Sequence, residues 1–412
     1  MANVSSSNGL EKRPRLAFRN TDGSHFPCWR QTSLGCIIEP YSEKVYGEHD
    51  YEVLTSSREG LQRQEDHFGS KQRHDTDGYN IIPFGYCTYR NRSDDGKFAF
   101  NINTISEKAI VSKFYPVFRF TNANSTFMAE FLNSSPRVKK KLSVLAVGTS
   151  QVVLSFEALK AAKFDLPCKD EQDKIAAFLE CLNTRIENQR TLVAALKKYK
   201  RGVFEAVFSQ KLRLVPTELQ KPWKQYKLSD FATRVTRKNG KQTDIPLTIS
   251  AQYGLIDQRN FFSKTVASTD MSGYYLLQKG EYAYNRSTSN DYPFGSIKRL
   301  ELYTMGAVST LYLCFAIKEE VVNSDLAKWY FESSQWYKGI NNICAEGARN
   351  HGLLNVPTDG FFNTVHTLPS DPNEQLAIVN YLSNIQKKYE TAQRCLQVIE
   401  NLRSGLLQQL FI

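Results

Sequence analysis

The sequence predicts an α+β protein: two pseudo-symmetric, mostly β globular regions separated by two long helices packed as an antiparallel coiled coil. Three observations carry that prediction. The stretch EQDKIAAFL at 171–179 returns as EQLAIVNYL at 374–382, and each opens a long run with apolar residues at heptad spacing. The segments preceding the two runs match one another at a slowly increasing offset. At 412 residues the chain is long enough to bury two or three separate cores.

The helices come first. Glu171 to Phe208 aligns without a gap on Glu374 to Phe411, pairing Ile175 with Ile378, Leu179 with Leu382, Gly202 with Gly405 and Phe208 with Phe411. A Leu-Pro precedes each copy, at Leu166-Pro167 and Leu368-Pro369. The first seam is Ile175, Leu179, Leu182, Ile186, Val193 and Leu196; the second is Ile378, Leu382, Ile385, Tyr389, Ala392, Leu396 and Ile399. Each fits a helix roughly 50 Å long at about 1.5 Å per residue. Neither seam can be left in water. For a lone heptad seam a core or a homodimer is the favoured reading, but two matched copies in one chain favour an intramolecular antiparallel pair.

The globular regions repeat as well. Trp29-Arg30-Gln31 followed by Leu34 mirrors Trp223-Lys224-Gln225 followed by Leu228, at an offset of 194. GYNIIPFGYCTYRN (78–91) lies over GYYLLQKGEYAYNR (273–286) at 195, and AIVSKFYPVFRF (109–120) over GAVSTLYLCFAI (306–317) at 197. Loop insertions in a duplicated domain produce such a drift. These pieces are rich in β-branched and aromatic residues and punctuated by Gly, Asn, Asp and Ser, so they read as strands and turns. Short helices are expected around Phe127 to Leu132 and Leu326 to Phe331. Tyr79, Tyr89, Tyr274 and Tyr284 alternate within strands and are assigned to the core. The boundaries follow: globular regions at 1–165 and 213–367, long helices at 166–212 and 368–412. The N-terminal KRPRLAFRNTDGSHFPCW resembles the bridge KLRLVPTELQKPW, which places the C-terminus near the N-terminus.

Composition excludes several classes. No run approaches the roughly 18 apolar residues of a membrane span, and the opening MANVSSSNGLEKRPR lacks the apolar run of a secretory signal, so a cytoplasmic protein is expected. The eight cysteines form no C-x-x-C pair and no cluster at metal spacing, and read as buried free thiols. A net charge of +11 suits a polyanionic partner. There is no phosphate-cradling G-x-x-x-x-G-K-[ST] loop, no dinucleotide G-x-G-x-x-G turn, no Asn-Pro-Pro-aromatic run and no H-E-x-x-H pair. Glu171-Gln172 and Glu374-Gln375 stand at helix starts, where an acid complements the dipole, and read as structure or partner docking rather than catalysis.

The paired LP…EQ helices, the LKKYKRGVFEAVF and LRSGLLQQLF endings, and the TISAQYGLIDQRNFF, YYLLQKGEYAYNRSTS and GAVSTLYLCF runs together resemble the specificity subunit of type I restriction-modification systems. The resemblance covers nearly the whole chain. It implies that each globular region is a target recognition domain reading one part of a bipartite double-stranded DNA target, that the helices fix the distance between the parts, and that two methyltransferase subunits dock on them. Restriction subunits would join that core. The chain would be non-catalytic and bind no cofactor; S-adenosylmethionine, ATP and Mg²⁺ would sit on partner subunits, in a bacterial or archaeal cytoplasm. The first region departs from the pattern at 66–77 and 91–100, where a counterpart of the FGSIKRL strand (294–300) is hard to place. Two alternatives remain open at this point: a single-chain DNA-modifying or cleaving enzyme, and a coiled-coil scaffold without a DNA role.

For DNA contact, basic side chains near phosphates supply salt-dependent affinity, whereas Arg, Lys, Asn, Gln and small polar groups on rigid loops read base edges. In the first region the candidates are Arg58, Arg63, Arg90, Asn91, Arg92 and Thr149, Ser150 and Gln151, with Arg137 and Lys139, Lys140 and Lys141 as a phosphate clamp. In the second they are Gln252, Tyr253, Arg259, Asn285, Arg286, Ser287, Asn290, Lys298, Arg299, Arg349, Asn350 and His351. No metal ligand is assigned.

Overall fold

The computed structural model describes residues 14–69, 75–250, 253–261, 270–289, 292–344, 352 and 354–411. Compactness divides the chain into two units, Met1–Arg190 with Cys395–Ile412, and Thr191–Arg394. The division falls inside both long helices, Lys169–Phe208 and Pro372–Leu410, so each unit holds part of each.

In the first unit the central sheet runs in the order Ile38–Tyr41, Val117–Phe120, Cys87–Tyr89, Phe100–Ile102. In the second the order is Ala232–Arg234, Leu313–Ile317, Tyr282–Asn285, Ser296–Arg299. The counterpart of the FGSIKRL strand is therefore Phe100–Ile102, paired with Cys87–Tyr89 as Ser296–Arg299 is with Tyr282–Asn285. The sequence obscures it because the polar run between Arg92 and Phe98 breaks the alternation. A second sheet differs between the units. Glu52–Ser57 pairs in parallel with Lys108–Val111 and joins two antiparallel strand pairs into one four-stranded sheet, where the other unit has, among the described residues, the isolated parallel bridge Pro246↔Ala307.

The expected tyrosine core is half realised: Tyr89 and Tyr284 are fully buried in the central sheets, while Tyr79 and Tyr274, nearer strand ends, are half-buried. The expected short helices are Ser125–Ser134 and Ser324–Tyr330. Of the cysteines, only Cys87 and Cys314 are buried; Cys36 and Cys181 are exposed thiols.

Each unit builds its main core from a globular region, the start of one long helix and the end of the other. In the first unit Ile175, Ala176 and Leu179 share a cluster with Phe127, Phe131, Leu407, Leu410 and Phe411. Within it Asn183 accepts a hydrogen bond from Arg403 at 2.6 Å, and Arg190 pairs with Glu400, so the two helix segments run antiparallel. In the second unit Val203, Phe204, Val207 and Phe208 share a cluster with Phe231, Trp329, Ile378, Leu382 and Ile385. The seam is graded: Ile175, Leu179, Ile186, Ile378, Leu382, Ile385, Ala392 and Ile399 are buried, whereas Leu182, Val193, Leu196, Tyr389 and Leu396 are half-buried. Lys200 belongs to this packing, its ammonium lying over the rings of Phe204 and Tyr389.

The repeated Glu-Gln pair explains how a globular region is fastened to its helix. The Gln172 side-chain carbonyl accepts from the Asn124 N–H at 2.9 Å, and its amide donates to the Pro167 carbonyl at 3.0 Å. Gln375 repeats both bonds, accepting from the Asn323 N–H at 2.8 Å and donating to the Pro369 carbonyl at 2.9 Å. Asn124 and Asn323 in turn cap the Ser125–Ser134 and Ser324–Tyr330 helices. The acid is used differently in the two copies. Glu171 accepts from Trp29 Nε1 at 3.2 Å, whereas Glu374 takes a two-toothed ion pair from Arg213 at 2.6 and 2.9 Å, with Arg213 lying over the Trp223 ring. The first unit also ties its early segment to the end of the second long helix, the Leu16 N–H donating to the Gln409 carbonyl at 3.1 Å.

Candidate nucleic-acid interface

The first unit gathers Arg58, Arg90, Asn91, Arg92, Thr149, Ser150 and Gln151 along one edge. The Arg92–Ser93 strand pairs with Val152–Val153, and the Leu154 N–H donates to the Asn91 carbonyl, which fixes the two loops side by side. Gln151 donates to Asp94 at 3.0 Å. Gly148 sits at φ +141°, and a Cβ there would lie 2.2 Å from the Gln151 carbonyl, so the turn carrying Thr149 and Ser150 requires glycine.

Asp95 organises this edge, and the motifs did not single it out. It accepts from Arg58 at 2.6 Å, from the Ser93 hydroxyl at 3.0 Å and from the Lys97 N–H at 3.2 Å. Burial pushes its carboxyl up, but the bonds from Ser93, Lys97 and Arg58 outweigh that and hold it down at about 2. The edge also carries Lys97, whose ammonium pairs with Asp95 at 3.3 Å as Arg58 does at 2.6 Å, while Arg92 and Lys113 lie over the Phe114 ring. Such exposed pairs are worth roughly 0–1 kcal/mol and can be exchanged for a phosphate at small cost. The sequence signal for Asp95 is the SDDG turn directly after RNR, inside the 91–100 stretch that departs from the repeat.

The remaining candidates of this unit lie elsewhere. Arg63 is at the far end of the Gly60–Arg63 strand and pairs with Glu52 at 2.8 Å. Lys139 and Lys140 are exposed on the Pro136–Leu145 helix, but Lys141 donates to the Lys163 carbonyl and lies over the Phe164 ring. As a clamp, the run is therefore reduced to the exposed Arg137, Lys139 and Lys140.

Residues 39–198 match the family model described as the type I restriction modification DNA specificity domain. The match covers less than half of the chain. No curated protein matches the sequence. Among solved structures, the fold is similar to the specificity subunit of a type I restriction-modification system from M. genitalium, with a TM-score of 0.56 at 14% identity over 97% of this chain and 99% of that one. A structure from work on complex assembly and conformational transition of the type I restriction-modification system gives 0.53 at 14% identity, over 93% of this chain and 97% of that one. The resemblance to type I specificity subunits read from the motifs is borne out, as is the α+β class with long helices.

Residues 213–367 repeat the strand order of the first unit's central sheet, and their polar loop is built the same way. The Leu354 N–H donates to the Arg286 carbonyl, as that of Leu154 does to Asn91. Asn285 and Ser287 close a turn on each other at 3.0 Å, and Arg286 donates to the Leu311 carbonyl at 2.9 Å. Gly295 is held at φ +74° with the Asn285 carbonyl against it, where a Cβ would lie at 2.1 Å.

Lys298 and Arg299 require a correction. Instead of facing outward, Lys298 is 9% exposed and paired with Glu332, and Arg299 is bound to Glu301, to Asp325 and to the Ser324 hydroxyl. They tie the central sheet to the Ser324–Tyr330 helix, because a strand between two covered faces has no solvent side for them. Tyr253 is 61% exposed at the tip of a hairpin, and Arg259 is paired with Asp257 at 2.7 Å. Gln252, Asn290, Arg349, Asn350 and His351 lie outside the described residues. Among the described residues no group of three or more His, Cys, Asp or Glu is placed to hold a metal, and no helix is long and apolar enough to cross a membrane.

Proposed function

We propose that this chain is the DNA-reading subunit of a type I restriction-modification complex and performs no bond chemistry itself. Each globular region reads one half of a bipartite target, and the long helices set the spacing and dock two methyltransferase subunits. Restriction subunits complete the complex. S-adenosylmethionine, ATP and Mg²⁺ belong to those partners, and the setting is a prokaryotic cytoplasm. The observation that carries the reading is the basic edge of the specificity domain, where Arg58, Arg90 and Arg92 converge beside Asn91 and Gln151 on loops braced by Asp94 and Asp95. The second globular region rebuilds the same loop around Arg286.

Docking of two copies of one partner is supported by apolar exposure at equivalent positions of the two helices. Tyr199 and Leu402 are 53% and 54% exposed, a turn from Gly202 and Gly405, and Val398 is 58% exposed where the other copy has Ala195. A groove of about 540 Å³ bounded by Ala195, Tyr199, Gly202 and Ala206 lies on the first of these faces.

The test is methylation mapping in cells carrying this chain with its methyltransferase. Two methylated half-motifs at fixed spacing are expected, and exchanging residues 213–367 for another recognition domain should alter one half alone. Methylation or cleavage of DNA by the purified chain without partners would refute a non-catalytic role.

A further inference from the structure

Each reading loop has beside it an exposed apolar residue at the tip of a turn. Phe114 is 52% exposed and Leu311 is 58% exposed, and the two are equivalent at the offset of 197 that aligns their strands. Both turns are built alike. The Phe114 N–H donates to the Ser112 hydroxyl at 3.4 Å and the Leu311 N–H to the Ser309 hydroxyl at 3.3 Å. Each turn is closed by the next tyrosine, whose N–H donates to the serine carbonyl at 2.9 Å for Tyr115 and 3.1 Å for Tyr312. The first is braced further by Asn80, which donates to the Tyr115 carbonyl at 2.9 Å.

These tips touch the candidate DNA-reading residues directly. The Arg92 guanidinium lies 5.3 Å from the Phe114 ring centre and the Lys113 ammonium 5.7 Å from it, and Arg286 donates to the Leu311 carbonyl. A large apolar side chain held in water on a rigid turn forfeits the free energy its burial would supply. Its appearance at the same place in both repeats points to something that covers it when the loops are occupied.

We propose that Phe114 and Leu311 are specificity-determining residues, each packing on the 5-methyl group of a thymine in the major groove. The inference rests on the DNA-reading function proposed above. What Phe and Leu share is neither a donor, an acceptor nor a π face, so the group they meet is apolar. Among the groups that base pairs present in the major groove, the thymine methyl is the apolar one. Stacking on a base would need a ring in both repeats, and the face of the Phe114 ring already meets two cations.

The experiment selects bound duplexes from a random-sequence pool with the full chain, the Phe114→Ala and Leu311→Ala variants, and the exchanges Phe114→Leu and Leu311→Phe. The enriched duplex is then resynthesised with uracil, which lacks only the methyl, replacing each thymine in turn. One uracil in each half-site is expected to weaken wild-type binding about four-fold, the effect of one buried carbon. Phe114→Ala should abolish that sensitivity in one half-site and Leu311→Ala in the other, while the exchanges retain it and melting temperatures stay unchanged. Equal weakening of thymine and uracil duplexes would overturn the proposal. So would a 2-aminopurine unstacking signal that Phe114→Ala removes, since that marks a wedge between bases. A wild-type chain that enriches no sequence would overturn the DNA-reading function itself, and this inference with it.

Discussion

The Glu-Gln pair that opens each long helix looks, as residue types, equally suited to acid-base chemistry and to fastening a fold. Geometry decides for fastening. Both glutamines are buried and spend their amides on an asparagine that caps a short helix and on the proline that precedes the long one. Gln375→Ala should therefore lower stability by about 2–3 kcal/mol, because it leaves the Asn323 N–H and the Pro369 carbonyl without partners; urea unfolding would measure it. Gln172→Ala should cost a similar amount, by the same loss at Asn124 and Pro167. Arg213→Ala should be more severe, about 3–5 kcal/mol, since it strands the buried Glu374 carboxylate, whereas Glu374→Gln should recover part of that loss in the same assay. Position and repetition of the Glu-Gln pair were legible in the sequence. Its partners were not, because Asn124 and Asn323 lie 48 and 52 residues away and no local pattern joins them.

At the scale of elements, a buried histidine distinguishes the second unit from the first. His366, on the Val365–Leu368 strand, is buried between the Tyr330 hydroxyl at 3.0 Å and the Thr364 hydroxyl at 2.8 Å. Thr364 gives its own proton to the Phe361 carbonyl, so it accepts from the imidazole, and the ring is neutral with its proton on Nε2. Burial lowers its pKa to about 4. Between that value and the ordinary range near 6.5, the unfolded chain binds a proton that the folded one does not. Stability contributed here is complete above about pH 6.5 and is lost as pH falls toward 4, by about 3 kcal/mol in all. The matching strand of the first unit, Lys163–Leu166, carries Phe164 at that position. Urea unfolding at pH 7 and pH 4.5 should show the acid loss in the unit that holds His366, and His366→Gln should flatten it. The strand pairing itself was foreseeable from the repeated alternation, but the isolation of His366 from water depends on Tyr330, Phe331 and Phe231 closing over it, which is a property of the packed core.

At the scale of the whole molecule, the proposed function turns the long helices into a ruler. Seven residues inserted between Leu182 and Leu196, matched by seven between Ile385 and Leu396, add about 10 Å of helix, or about three base pairs of duplex. Methylation mapping should find the two half-motifs unchanged and their spacing longer by about that amount; an unchanged spacing would refute the ruler. By itself the sequence determined the duplication, the two helices, their seams and the α+β class, because periodicity and offset are local or repeated properties of the chain. Only the tertiary structure decided which basic residues are available. Arg58 stays exposed in its pair with Asp95, and Arg92 lies over the exposed Phe114 ring, while Lys298 and Arg299, equally basic in the sequence, are drawn into ion pairs that leave them mostly buried. A charge is specified by its residue type, but its exposure depends on what long-range packing places opposite it.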